Sequence, residues 1–129
     1  INLFKQIPNE VLYHISQIVE EVEYLKGELV FKEGEYGDFM LVIVKGSVNI
    51  YKNSKVISEL NEGDSFGEMA ILDGEPRSAD VCAIKDCIMF KISKRDFYQV
   101  LSVNEEIINS IILTLTKRLR ETTNKLNQN

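Results

Sequence analysis

The chain has 129 residues, enough for one domain with a genuine core. A composition of 44% hydrophobic and 27% charged residues is that of an ordinary globular protein. No run approaches the roughly eighteen apolar residues of a membrane helix, so no direct membrane insertion is expected. Twenty acidic against fifteen basic residues give a net charge of −5, which argues against non-specific nucleic-acid binding and against long-range steering of an anion.

Cys82 and Cys87 form no CxxC pair, and His14 is the single histidine. This excludes the usual zinc and haem patterns, so no metal and no cofactor are expected. Both cysteines read as buried free thiols in a reducing, cytoplasmic setting, alone or as the cytosolic part of a larger, even membrane-bound, protein. No signal peptide is visible. The chain opens on Ile1 rather than Met, which leads us to expect a piece of something longer.

Residues 1–19 read as a helical segment. Pro8 sits near a first turn, and Leu12, Ile15 and Val19 fall on one face. From Val22 the apolar period changes to two. Val22, Tyr24, Leu29, Phe31, Phe39 to Val44, Val48 and Ile50 read as short strands, punctuated by Gly27, Gly34, Gly37 and Gly46. Asn53-Ser54-Lys55 makes a hairpin turn toward Val56-Ile57. Many short strands with glycine turns predict an antiparallel barrel or jelly roll.

Residues 66–79, Phe66-Gly67-Glu68-Met69-Ala70-Ile71-Leu72-Asp73-Gly74-Glu75-Pro76-Arg77-Ser78-Ala79, break this pattern. They bring together a backbone-exposing glycine, a carboxylate, small alanines, a proline turn and an arginine. Such a set suits a small ligand with a hydroxyl and an anionic group. The carboxylate accepts from the hydroxyl, and the guanidinium holds the anion through paired bonds. If Glu68 opens a short helix, its free N–H groups add to the anion site. In isolation, Arg77 would read first as a surface arginine paired with Asp73 or Glu75.

After this stretch Val81 and Ala83, then Ile88, Phe90 and Ile92, read as two strands turning at Lys85-Asp86. Ser93 caps a helix in the manner of a capping box with Asp96, and Phe97, Val100 and Leu101 form its apolar face. A last helix opens at Asn104 with Glu105 and Glu106 and gathers Lys117, Arg118, Arg120 and Lys125 toward its end, as the helix dipole favours. Ile108, Ile112, Leu115, Leu119, Thr122 and Leu126 keep heptad spacing, so residues 104–127 are a candidate homodimer seam.

Residues 66–79 closely resemble the phosphate-binding cassette of the cyclic nucleotide-binding domain family, F-G-E-[LM]-A-[LI]-x-x-x-x-P-R-[ST]-A, at every specified position. Lys26 to Asp38 and the L-x-x-G-D of Leu60 to Asp64 are similar to the family's earlier strands and turns. The resemblance implies a mainly β fold, an antiparallel β-roll with an N-terminal helix and two C-terminal helices. It implies one domain over residues 1–129, with a roll at 20–92 and C-terminal helices at 93–127.

By the same resemblance Arg77 binds the cyclic phosphate and Glu68 the ribose 2′-hydroxyl. Phe66, Gly67, Met69, Ala70, Ser78 and Ala79 complete the cyclic-nucleotide pocket. Ile50 and Ile57 fall where the family packs aliphatic side chains on the purine. Thr122 and Thr123 are similar to the base contacts on the central helix of catabolite activator proteins. Ser78 matches neither the threonine of several cGMP-binding members nor the alanine that accompanies cAMP. The implied ligand is cAMP, ahead of cGMP, with the signal relayed through the C-terminal helix to an attached effector absent from this chain.

No nucleophile, metal cluster or histidine base accompanies the carboxylates, so an enzyme is not expected. Two alternatives remain: a structural or dimerisation domain of the same fold without ligand, and the sensor half of a transcription regulator whose DNA-binding part is missing. The fragment alone is not expected to bind nucleic acid.

Overall fold

The computed structural model describes residues 19–103, together with positions 13, 16, 17, 105, 109 and 120. Most of the predicted segment 1–19, and the predicted terminal helix with its seam, lie outside the described residues. Eight strands form: β1 (Glu20–Tyr24), β2 (Leu29–Phe31), β3 (Phe39–Lys45), β4 (Val48–Lys52), β5 (Lys55–Leu60), β6 (Ser65–Phe66), β7 (Asp80–Ala83) and β8 (Cys87–Ser93). Within residues 19–103 two helices accompany them, α1 (Glu68–Asp73) and α2 (Lys94–Val103).

The strands make two antiparallel sheets, ordered β1-β8-β3-β6 and β2-β7-β4-β5. Apart from the β4–β5 hairpin, each connection crosses from one sheet to the other, which makes the expected β-roll. The period-two alternation of the sequence sorts side chains between faces. Leu41, Ile43 and Met89 point inward with Phe31, Val48, Phe66, Val81 and Cys87, and together fill the space between the sheets. Met40 takes the other face of β3, opposite Ile92 on β8. There α1 packs on β3 and α2 on β8, bringing in Ile71 and Phe97, both 1% exposed. Each such side chain contributes about 1.5–3 kcal/mol when fully buried.

Both cysteines are free, with Cys82 half-buried and Cys87 buried. The Cys87 thiol faces the carbonyls of Ser47 and Lys85, and burial pushes it toward the neutral form. Ser93 caps α2 as the sequence indicates, its Oγ accepting the Asp96 N–H at 3.1 Å. The side chains of residues 100 and 101 lie outside the described set.

The β4–β5 hairpin turns at Asn53 and Ser54, both with positive φ, at 53° and 64°. This is a two-residue loop rather than the three-residue turn read from sequence. Lys52 pairs with Lys55, Tyr51 with Val56 and Ile50 with Ser58. Ile57 is therefore an unpaired bulge residue.

Candidate functional site

The link from β6 to β7 crosses between the sheets and carries residues 67–79. Gly67 ends β6 with φ at 90°, and a β-carbon there would come within 2.8 Å of the Phe31 ring and 2.9 Å of Arg77 Nη1. The turn therefore requires glycine twice over, for its backbone angle and for its space. The chain then makes the six residues of α1 and leaves it through Gly74, whose N–H bonds the Ala70 carbonyl. Asp73 Oδ1 next accepts the Glu75 N–H at 2.8 Å, a local turn that aims Pro76 and Arg77 back across the roll.

Arg77 is 5% exposed. Its Nη1 donates to the Gly67 carbonyl at 3.1 Å and its Nη2 to the Phe39 carbonyl at 2.6 Å. Its guanidinium carbon lies 3.7 Å from the Phe31 ring centroid and 5.1 Å from that of Phe39. Two of its five N–H groups are thus engaged with carbonyls. Burial lowers the guanidinium pKa, but Asp38, Glu35 and Glu68 act the other way, and the group stays charged. The backbone is held as firmly: the Arg77 N–H donates to the Glu35 carbonyl at 2.7 Å, and the Gly34 N–H to the Arg77 carbonyl at 2.9 Å. Arg77 is therefore not the surface arginine that Asp73 or Glu75 would pair.

Glu68, at the start of α1, is 4% exposed. It shares with Arg77 the wall of a cavity of about 390 Å³, within the range of small-molecule sites. Phe66, Gly67, Met69, Ala70, Ser78 and Ala79 line the same cavity, so all eight cassette residues named from the sequence meet there. Ile50 lines it from β4. Ile57 does not: it is 60% exposed, because the bulge turns it away from the face that Ile50 shares with Ser58. Ser58 and Leu60 supply the β5 wall instead. Sequence reasoning missed these two, since a bulge inverts the inside–outside alternation beyond it and leaves no mark in composition. Thr122 and Thr123 lie outside the described residues. Among the described residues no cluster of histidine, cysteine and carboxylates could hold a metal.

The fold class is thus an antiparallel β-roll whose sheet-crossing segment presents a buried arginine and a buried glutamate to one cavity. The chain matches the family model of the cyclic nucleotide-binding domain over residues 21–104, and it belongs to that family of regulatory, non-catalytic domains. It is similar to the Rap guanine nucleotide exchange factor 1 of Caenorhabditis elegans, with 32% identity over 103 residues, 78% of this chain and 10% of that protein. It is also similar to the cAMP-dependent protein kinase regulatory subunit of Candida albicans, with 29% identity over 99 residues, 77% of this chain and 22% of that one. The catabolite activator protein of Thermus thermophilus has the same fold, with a TM-score of 0.89 at 23% identity, over 97% of this chain and 61% of the other. The chain therefore spans less than a quarter of the length of these two curated relatives.

Proposed function

We propose that this chain is the sensor domain of a larger regulatory protein, binding a 3′,5′-cyclic nucleotide, cAMP ahead of cGMP, in the cavity closed by residues 66–79. The observation that carries this reading is the convergence of Arg77 and Glu68, both at most 5% exposed, on one cavity that also has an apolar wall. Arg77 takes the cyclic phosphate and Glu68 the ribose hydroxyl, while Ile50, Ser58 and Leu60 face the base. The named role of the Candida albicans relative, a cAMP-dependent regulator, supports placing cAMP first.

A connection from the cavity to α2 supports the relay. Arg77 donates to the Phe39 carbonyl, and the adjacent Asp38 carbonyl accepts the N–H of Lys94, the first residue of α2, at 2.7 Å. A ligand that repositions Arg77 acts on the same short loop that holds the start of α2. It shifts the C-terminal helices by its difference in affinity for their two positions. Residues 104–127, with their heptad spacing, are the proposed dimer contact and output element toward an effector domain.

Isothermal titration with cAMP and cGMP tests the reading. Binding of either one, weakened at least about tenfold by Arg77→Lys, is the expected result, because lysine lacks the paired donors. A folded chain silent toward both nucleotides would leave the fold as a structural or dimerisation domain.

A further inference from the structure

Lys52 lies at the end of β4, outside residues 66–79 and outside the cavity lining. Its position in the hairpin is unfavourable by itself, since its cross-strand partner is Lys55 and like charges opposite one another repel. Two contacts offset this. Its ammonium donates to the Ser78 carbonyl at 2.8 Å and pairs with Glu33 Oε1. Glu33 is itself tied to the cassette exit, its N–H donating to Asp80 Oδ1 at 2.7 Å.

The consequence follows from the geometry of one peptide. No cis bond occurs among the described residues, and a trans peptide sends its carbonyl and its N–H to opposite sides. Lys52, which lies outside the cavity lining, holds the Ser78 carbonyl at 2.8 Å, and the N–H on the opposite side of that same peptide is the one of Ala79. Ala79 lines the cavity, and among the described residues its N–H has no hydrogen-bond acceptor.

We propose that Lys52 is a positioning residue: by holding the Ser78 carbonyl, it orients the Ala79 N–H into the cavity as a donor to the anionic group of the ligand. The inference rests on the nucleotide-binding reading and extends it to a residue outside the cassette. The pair with Glu33 is about half exposed and adds little to stability. Its effect is on which way one donor points. A backbone N–H bonded to a charged group is worth enough that losing it lowers affinity on the order of tenfold.

The test uses Lys52→Met and Lys52→Arg in the chain, titrated with cAMP and with the two phosphorothioate diastereomers of cAMP. In each diastereomer one exocyclic oxygen is replaced by sulfur, a poorer acceptor. Lys52→Met is expected to weaken cAMP binding about tenfold with little change in melting temperature, and Lys52→Arg to restore most of it. The affinity ratio between the diastereomers is expected to shift by about threefold or more in Lys52→Met, because only one of the two oxygens loses its donor. If wild type binds and Lys52→Met binds equally well, or weakens both diastereomers alike, the positioning role is overturned while the nucleotide reading stands. If wild type binds none of the three and no cGMP either, the nucleotide reading itself fails and takes this inference with it; if it binds cGMP alone, the same variants are titrated with cGMP and its phosphorothioate diastereomers.

Discussion

Arg77 serves two purposes that the sequence presents as one. As a cassette residue it reads as a ligand group, yet its guanidinium also packs against Phe31 and Phe39 and closes the approach of Gly67. Truncation to alanine would therefore disturb folding as well as binding, which is why lysine is the better probe. Gly37 shows how tightly the guanidinium is held. A β-carbon there would lie 2.5 Å from Arg77 Cζ. The atoms it meets belong to the end of a long side chain, which can swing aside only by giving up its bonds to the Gly67 and Phe39 carbonyls. Gly37→Ala is therefore expected to weaken nucleotide binding about tenfold or more and to lower stability by about 2–3 kcal/mol. Titration beside a denaturant melt separates the two quantities. The residues themselves, Glu68 and Arg77 nine apart, were legible because a ligand site requires particular chemical groups. The Phe31 and Phe39 rings over the arginine were not, since a strand phenylalanine reads the same whether it faces core or cation.

At the level of elements, alternation and glycine turns were enough to place most of the strands and the cap of α2. They failed at β5. A bulge adds one residue without changing composition, so Ile57, which the family resemblance put on the purine, faces out and Ser58 takes the cavity face. The same hairpin offers a stability test. Asn53 tolerates a left-handed backbone, but Ser54 at φ 64° does not gain from it. Ser54→Gly is expected to stabilise the chain by about 0.5–1 kcal/mol, since relief of the left-handed strain outweighs the greater entropy of an unfolded glycine. A chemical-denaturation midpoint measures this directly, and binding is expected to be unchanged because Ser54 lies outside the cavity lining.

Over the whole molecule, the segment that carries Glu68 and Arg77 is also one of the links between the two sheets, so occupancy and global stability are coupled. A ligand at one hundred times its dissociation constant adds about 2.7 kcal/mol to a protein whose unfolded state does not bind it. Thermal melts should rise by several degrees with saturating nucleotide, and by about half as much or less for Arg77→Lys at the same concentration, since a site weakened tenfold gains only about 1.4 kcal/mol there. The topology has a further consequence, in the order of events during synthesis. Among the described residues β8 is the last strand made, yet it sits inside its sheet, between β1 and β3, pairing Glu20 with Lys91 and Val42 with Phe90. A nascent chain that has emerged only through Ala83 already contains all of residues 66–79, but its β1 has no neighbour and its β3 is bare along one edge. The roll cannot close until residue 93 is free of the ribosome. The capacity to sense a ligand would then arrive in one late step, well after the residues that touch the ligand have been translated.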